Sequence, residues 1–146
     1  MSSFRFSLEQ VLQYRKQLEE RAMQVFAQAM QARDRRLREK EALEAALAQA
    51  RKTMADPTFL DAGERWLLNN YMTALASDIK QAHSDLVTLD EAMDKARSDL
   101  TQKAQDKKLL ERLKEKQASR HRVAENHKEQ QSNDDIATIR FTSPAF

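Results

Sequence analysis

Residues 68–100 read LNNYMTALASDIKQAHSDLVTLDEAMDKARSDL, and their spacing decides the fold. Leu68, Met72, Leu75, Ile79, Ala82, Leu86, Leu89, Met93, Ala96 and Leu100 follow one another in alternating steps of four and three. Steps of that kind average 3.5 residues, close to one helical turn, so these side chains form one stripe along a helix. A stripe this narrow is the seam of a left-handed coiled coil and requires a second helix to cover it.

The rest of the chain supplies that helix. Gly63 is the one glycine and Pro57 and Pro144 are the two prolines among 146 residues. These are the strongest breakers of regular structure, and there is none before Pro57 or between Gly63 and Pro144. Ala, Leu, Glu, Lys, Gln and Arg dominate, while β-branched and aromatic residues are scarce, which disfavours strands. A third of the residues are charged and the mean hydropathy is −0.81. Such a chain can cover a seam and cannot fill a globular core.

The spacing predicts a first helix over residues 8–55. Ser7 and Gln10 can form a capping box, with Phe6 and Val11 as the hydrophobic staple. Pro57 ends that helix, because the residue before a proline avoids helical geometry. Residues 56–62 form the corner, Asp61 and Glu64 can cap the second helix over 63–131, and residues 132–146 form a flexible tail. The predicted class is all-α: a single domain, a long antiparallel two-helix coiled-coil hairpin with unequal arms of about 70 and 100 Å.

On the first helix Leu8, Val11, Leu18, Ala22, Val25, Ala29, Ala32, Leu43, Ala46 and Ala50 form the expected seam, widened by Leu12, Phe26, Leu47 and Met54. Folding about residue 59 sets Leu8 against Leu110, Leu18 against Leu100, Val25 against Met93 and Leu43 against Leu75. In that register Arg36 and Glu39 interrupt the seam opposite Ala82 and Ile79, and Arg15 and Val11 approach Lys103 and Lys107. Both places are expected to loosen, which hydrogen exchange would detect. The longer second arm is expected to overhang the N-terminus with residues 111–131.

No catalytic constellation is present. His83, His121 and His127 do not share a face well, there is no cysteine, and no glycine-rich loop could cradle phosphate. The sequence therefore points away from an enzyme, a cofactor, a metal or a small-molecule substrate. Lacking cysteine, the chain suits a reducing cytoplasm, and its apolar runs are far too short to span a bilayer. Net charge is only +2, although nine Lys and Arg fall between Lys103 and Lys128. Such a stretch is most simply a solvated helix surface; otherwise it docks on an acidic protein or on nucleic acid. No aromatic residue interleaves with these charges, so base stacking is poorly supported. Phe59, Leu60, Trp66, Leu67 and Tyr71 cluster at the corner, either packing it or presenting an apolar tip to a partner. Leu109 and Leu113 fall off the seam.

Three segments resemble the FliJ family of flagellar type III export proteins. They are the opening Phe4-Arg5-Phe6-Ser7-Leu8-Glu9-Gln10-Val11-Leu12-Gln13-Tyr14-Arg15, continued by Glu19, Glu20 and Ala22; Lys108-Leu109-Leu110-Glu111-Arg112-Leu113-Lys114-Glu115; and Asp134-Asp135-Ile136-Ala137. Thr138 to Phe146 extends past the family's pattern. The resemblance implies a cytoplasmic protein, peripheral to the inner face of the cell membrane at the flagellar base. Its implied partners are the hexameric flagellar export ATPase, the export gate membrane protein and the flagellar substrate chaperones. Carried onto this chain, Lys108, Leu109, Glu111, Arg112 and Leu113 would touch the ATPase, and Trp66, Tyr71, Met72 and His83 the gate. The competing readings are the equivalent stalk of a virulence type III secretion system and a basic coiled coil binding nucleic acid or ribosomes.

Overall fold

In a computed structural model, residues 2–56, 58 and 60–142 are described. Two helices account for nearly all of them: α1, Glu9–Ala55, and α2, Ala62–Thr142. The fold is all-α, with no strand among the described residues. The chain divides into two compact units, Met1–Glu20 with Gln102–Phe146, and Arg21–Thr101. Within each unit an N-terminal segment runs antiparallel to part of α2, as the ion pairs below show. Pro57 and Phe59, expected at the helix end and in the corner cluster, lie outside the described residues, as do residues 143–146.

The helix ends follow from local chemistry. At the start of α1 the Phe6 carbonyl accepts the Glu9 N–H at 3.2 Å, and the first full helical bond joins Leu12 to Leu8. At the corner, Thr58 donates to Asp56 Oδ1 from its hydroxyl (2.6 Å) and its N–H (3.4 Å). These bonds favour the ionised carboxyl and lower the Asp56 pKa, the hydroxyl contributing most. Asp61 Oδ1 accepts the Glu64 N–H at 2.7 Å, so Asp61 is the expected cap of α2. The far end of α2 differs from expectation. The helix runs on through Thr142, so residues 132–142 are helical rather than a flexible tail. Nothing in that segment breaks a helix before Pro144, and Thr138 and Thr142 return their hydroxyls to carbonyls one turn back.

Along α2, Leu75, Ala82, Leu86 and Ala96 are buried, and Leu68, Met72, Ile79, Leu89, Met93 and Leu100 are half-buried. Every expected seam residue thus faces inward. The same steps continue beyond Leu100 through Lys103, Lys107, Leu110, Lys114, Gln117 and His121, all half-buried or nearly so. The seam does not stop there; it turns polar.

On α1 Leu18, Ala22, Ala29, Ala32, Leu43, Ala46 and Ala50 of the expected seam are buried or half-buried, as are the widening residues Leu12, Phe26, Leu47 and Met54. Leu8, Val11 and Val25 are exposed, Val25 by 54%. The inward positions are Leu12, Arg15, Glu19, Ala22, Phe26, Ala29, Arg33, Arg36, Lys40, Leu43, Leu47, Ala50 and Met54, an unbroken run of three and four. This stripe buries Leu12 and Leu47 and half-buries Phe26 and Met54, whereas Val11 and Val25 stay exposed. Burying the larger apolar area is the more stable choice. Charged residues enter the seam as a consequence, and each must find a counter-ion.

Those counter-ions fix the register. Arg33 pairs with Asp90, and Arg36 Nη2 lies 2.9 Å from Asp85. Folding about residue 59 would have set Arg33 beside Asp85 instead. Aligned on the observed pairs, seam meets seam: Leu12 falls opposite Leu110, Phe26 opposite Ala96, Ala29 opposite Met93, Leu47 opposite Leu75 and Ala50 opposite Met72. Large thus meets small in most layers, which lets the backbones approach closely. Lys40 falls in the layer of Ala82, which is fully buried, while its ammonium reaches Glu44 at 3.6 Å. Its apolar stem can cover the alanine while the charge stays wet.

The charged layers expected to loosen are therefore paired. Arg36 also holds Glu39 at 2.7 Å, Arg15 holds Asp106 at 3.3 Å and Lys107 holds Glu19 at 2.9 Å. Partly exposed pairs contribute about 0–1 kcal/mol each, so they select a register more than they add stability.

Leu12→Ala (1% exposed) and Leu47→Ala (8%) are each expected to cost about 2 kcal/mol or more in urea unfolding. Val25→Ala is expected to stay within about 0.5 kcal/mol. Equal losses at Val25 and Leu47 would contradict the seam.

Candidate interaction surfaces

The unit formed by Met1–Glu20 and Gln102–Phe146 is held by a strap. Residues 2–8 are not helical and lie along α2. Phe6 is buried, and the Phe4 ring stacks at a tilt on His121, 5.8 Å between centroids. Ser2 donates its hydroxyl to Glu125 at 2.7 Å, and its carbonyl lies 3.1 Å from His121 Nε2. Glu9 Oε2 lies 2.8 Å from Lys114 Nζ. Residues 111–125 are thus not the bare overhang expected from sequence, because the strap covers one side of them. The polar seam explains this: Lys114 and His121 offer charge and a ring to Glu9 and Phe4 rather than an apolar ridge.

The opposite side of this stretch of α2 faces outward. Gln105, Lys108, Leu109 and Arg112 line one shallow groove, being three and four residues apart on one face. Leu109 is 65% exposed and Leu113, one turn on, 36%. Four of the five residues assigned to an ATPase contact therefore gather around one outward patch. Glu111 does not: it turns toward the seam, 4.0 Å from Lys107.

In Arg21–Thr101 a second groove runs between the helices. Ala42, Leu43, Ala46, Tyr71 and Leu75 give it apolar surface, and Arg36, Glu39, Asp78 and Gln81 are polar along it. Tyr71 is 50% exposed. The other residues assigned to the gate do not share this groove. Trp66 is exposed on the first turns of α2, Met72 packs in the seam, and His83 is exposed elsewhere on the helix. Sequence reading placed Ala46 on the seam and did not single out Ala42, Asp78 and Gln81, which only the register brings together with it. It also missed Ser2, Phe4, His121 and Glu125, although continuing the α2 steps past Leu100 would have reached His121.

No cluster of His, Cys, Asp or Glu among the described residues could hold a metal ion. No helix among them is long and apolar enough to cross a membrane.

Acid should loosen the strap. The hydrogen bond from Lys114, then that from Gln13, lowers the Glu9 pKa, and the hydrogen bond from Ser2 lowers that of Glu125. A depressed carboxyl contributes stability above its unfolded value of about 4.3, lost as pH falls through the folded value. Lys107 behaves oppositely: Glu19 raises its pKa, so its contribution persists until pH rises past the ordinary lysine range. Protection of the Glu9–Leu12 amides against hydrogen exchange should drop between pH 5 and 3, before the amides of residues 75–96 change. Equal protection of both segments across that range would contradict this.

The comparisons with known proteins agree with the resemblance read in the sequence. No curated protein and no solved structure gives a significant match. The family described as flagellar FliJ protein matches residues 4–145, nearly the whole chain. The family is one of flagellar export. The match spans the strap, both helices and the outward face around Leu109, and on it the chain is a member of the FliJ family.

Proposed function

We propose that this chain serves flagellar type III protein export as a coiled-coil stalk that works by contact. In this reading the patch of Lys108, Leu109, Arg112 and Leu113 binds the hexameric export ATPase. The groove at Tyr71 meets the export gate membrane protein, and substrate chaperones are escorted by the same chain. Membrane association then runs through these partners, at the cytoplasmic face of the flagellar base. The observation that carries the reading is the outward patch. Two large apolar side chains, Leu109 and Leu113, lie exposed beside two cations on a face that the hairpin leaves uncovered. Apolar residues ringed by arginine and lysine are the usual make-up of an interface core. The match to the flagellar FliJ family supports flagellar export as the setting.

The direct test is copurification of the full chain with the candidate export ATPase. Leu109→Glu with Arg112→Glu is expected to weaken binding at least tenfold while helix content stays unchanged, because both side chains point away from the seam. Leu110 is unsuitable for this purpose, since it packs inward. Undiminished binding by the double variant would refute the patch.

A further inference from the structure

α1 carries two interleaved stripes, and the second is only partly covered: Val25 and Glu39 are exposed while Ala32 and Ala46 are half-buried. Between residues 21 and 54 the seam in use is Ala22, Phe26, Ala29, Arg33, Arg36, Lys40, Leu43, Leu47, Ala50 and Met54. Interleaved with it runs Ala22, Val25, Ala29, Ala32, Arg36, Glu39, Leu43, Ala46 and Ala50. The second stripe keeps the same alternation of three and four and shares every seventh residue with the first. The α2 seam is single, and it matches either stripe. In the observed register Leu47 falls opposite Leu75 and Phe26 opposite Ala96. Slid by four residues, Leu43 falls opposite Leu75, Ala46 opposite Met72, Ala32 opposite Leu86 and Val25 opposite Met93.

We infer that α1 and α2 have two registers half a heptad apart, and that α1 exchanges stripes when it slides between them. Three observations converge on this. Val25 stays 54% exposed in the observed register, although it lies on the second stripe. Two seam cations find carboxylates after the slide: Asp85, which now holds Arg36, comes beside Arg33, and Asp78 comes beside Lys40, while Glu39 stays with Arg36 on its own helix. Asp78 and Asp85 are seven residues apart, as are Arg33 and Lys40, so one slide forms both contacts. Finally, Glu39 and Ala46, which must turn inward, already line the open groove at Tyr71. There is space for the turn there, and any surface that closes on this groove covers the residues that exchange. Docking at the groove and the choice of register are thereby coupled.

The chain has no cysteine, so paired cysteines report the registers cleanly. Leu47→Cys with Leu75→Cys should form a disulfide rapidly under mild oxidation, as the observed register requires. Leu43→Cys with Leu75→Cys is the diagnostic pair. In the observed register these positions are offset by about 6 Å along helices about 8–10 Å apart, beyond the roughly 7 Å that a disulfide spans. It should nevertheless form, more slowly, and Asp90→Ala should speed it several-fold by releasing Arg33. The control is Leu47→Cys with Ile79→Cys, offset equally in the other direction, toward a register that would bury Glu44 and Arg51. It should form at least tenfold more slowly than the diagnostic pair. Two results would overturn the inference: no diagnostic disulfide where the first pair closes fully, or a control as fast as the diagnostic pair, which would mean fraying.

Discussion

Everything in this structure depends on two seams meeting in one register. The α2 stripe from Leu68 to Leu100 must be covered along its length, and α1 covers it only where its own inward residues fall opposite. Arg33 on Asp90 and Arg36 on Asp85 make that alignment specific. A purely apolar seam would tolerate a slip, because Leu, Met and Ala pack against one another in many ways. Charged residues inside the seam restrict it to alignments that offer a carboxylate: a slipped arginine without one is a partly desolvated charge. Half-buried ion pairs of this sort favour one pairing over others more than they add stability.

The register in turn decides which residues are left for other molecules. It turns Lys108, Leu109 and Arg112 away from the strap, and sets Ala42 and Ala46 beside Tyr71. Both surfaces are grooves on the outside of paired helices. The strap adds a third feature to the same logic. Where α2's seam becomes Lys114 and His121, the N-terminal segment ceases to be helical and answers with Glu9, Phe4 and Ser2.

The second helix was legible because its apolar residues occupy one stripe and no other. Leu68 to Leu100 could be read residue by residue, and so could the Asp61 cap. The first helix was less legible because it offers two stripes. Choosing Val25 over Phe26 shifted the register by four residues and placed Asp85 beside Arg33 rather than Arg36. Ionic partners could have corrected that choice, since only one alignment gives both Arg33 and Arg36 a carboxylate. The end of α2 was misread because Asp134 and Asp135 look like tail residues, although nothing there breaks a helix. The patch around Leu109 was visible as apolar residues off the seam; the Tyr71 groove was not, because it takes residues from both helices.

A charge exchange across the Arg33–Asp90 pair tests the register most directly. Arg33→Asp and Asp90→Arg should each lower the thermal midpoint, because each sets like charges against one another within the seam. Combined in one chain they restore the attraction with its direction reversed, and most of the lost midpoint should return. If the combined variant loses as much as the two single variants together, Arg33 and Asp90 do not face each other, and the register built on them is wrong.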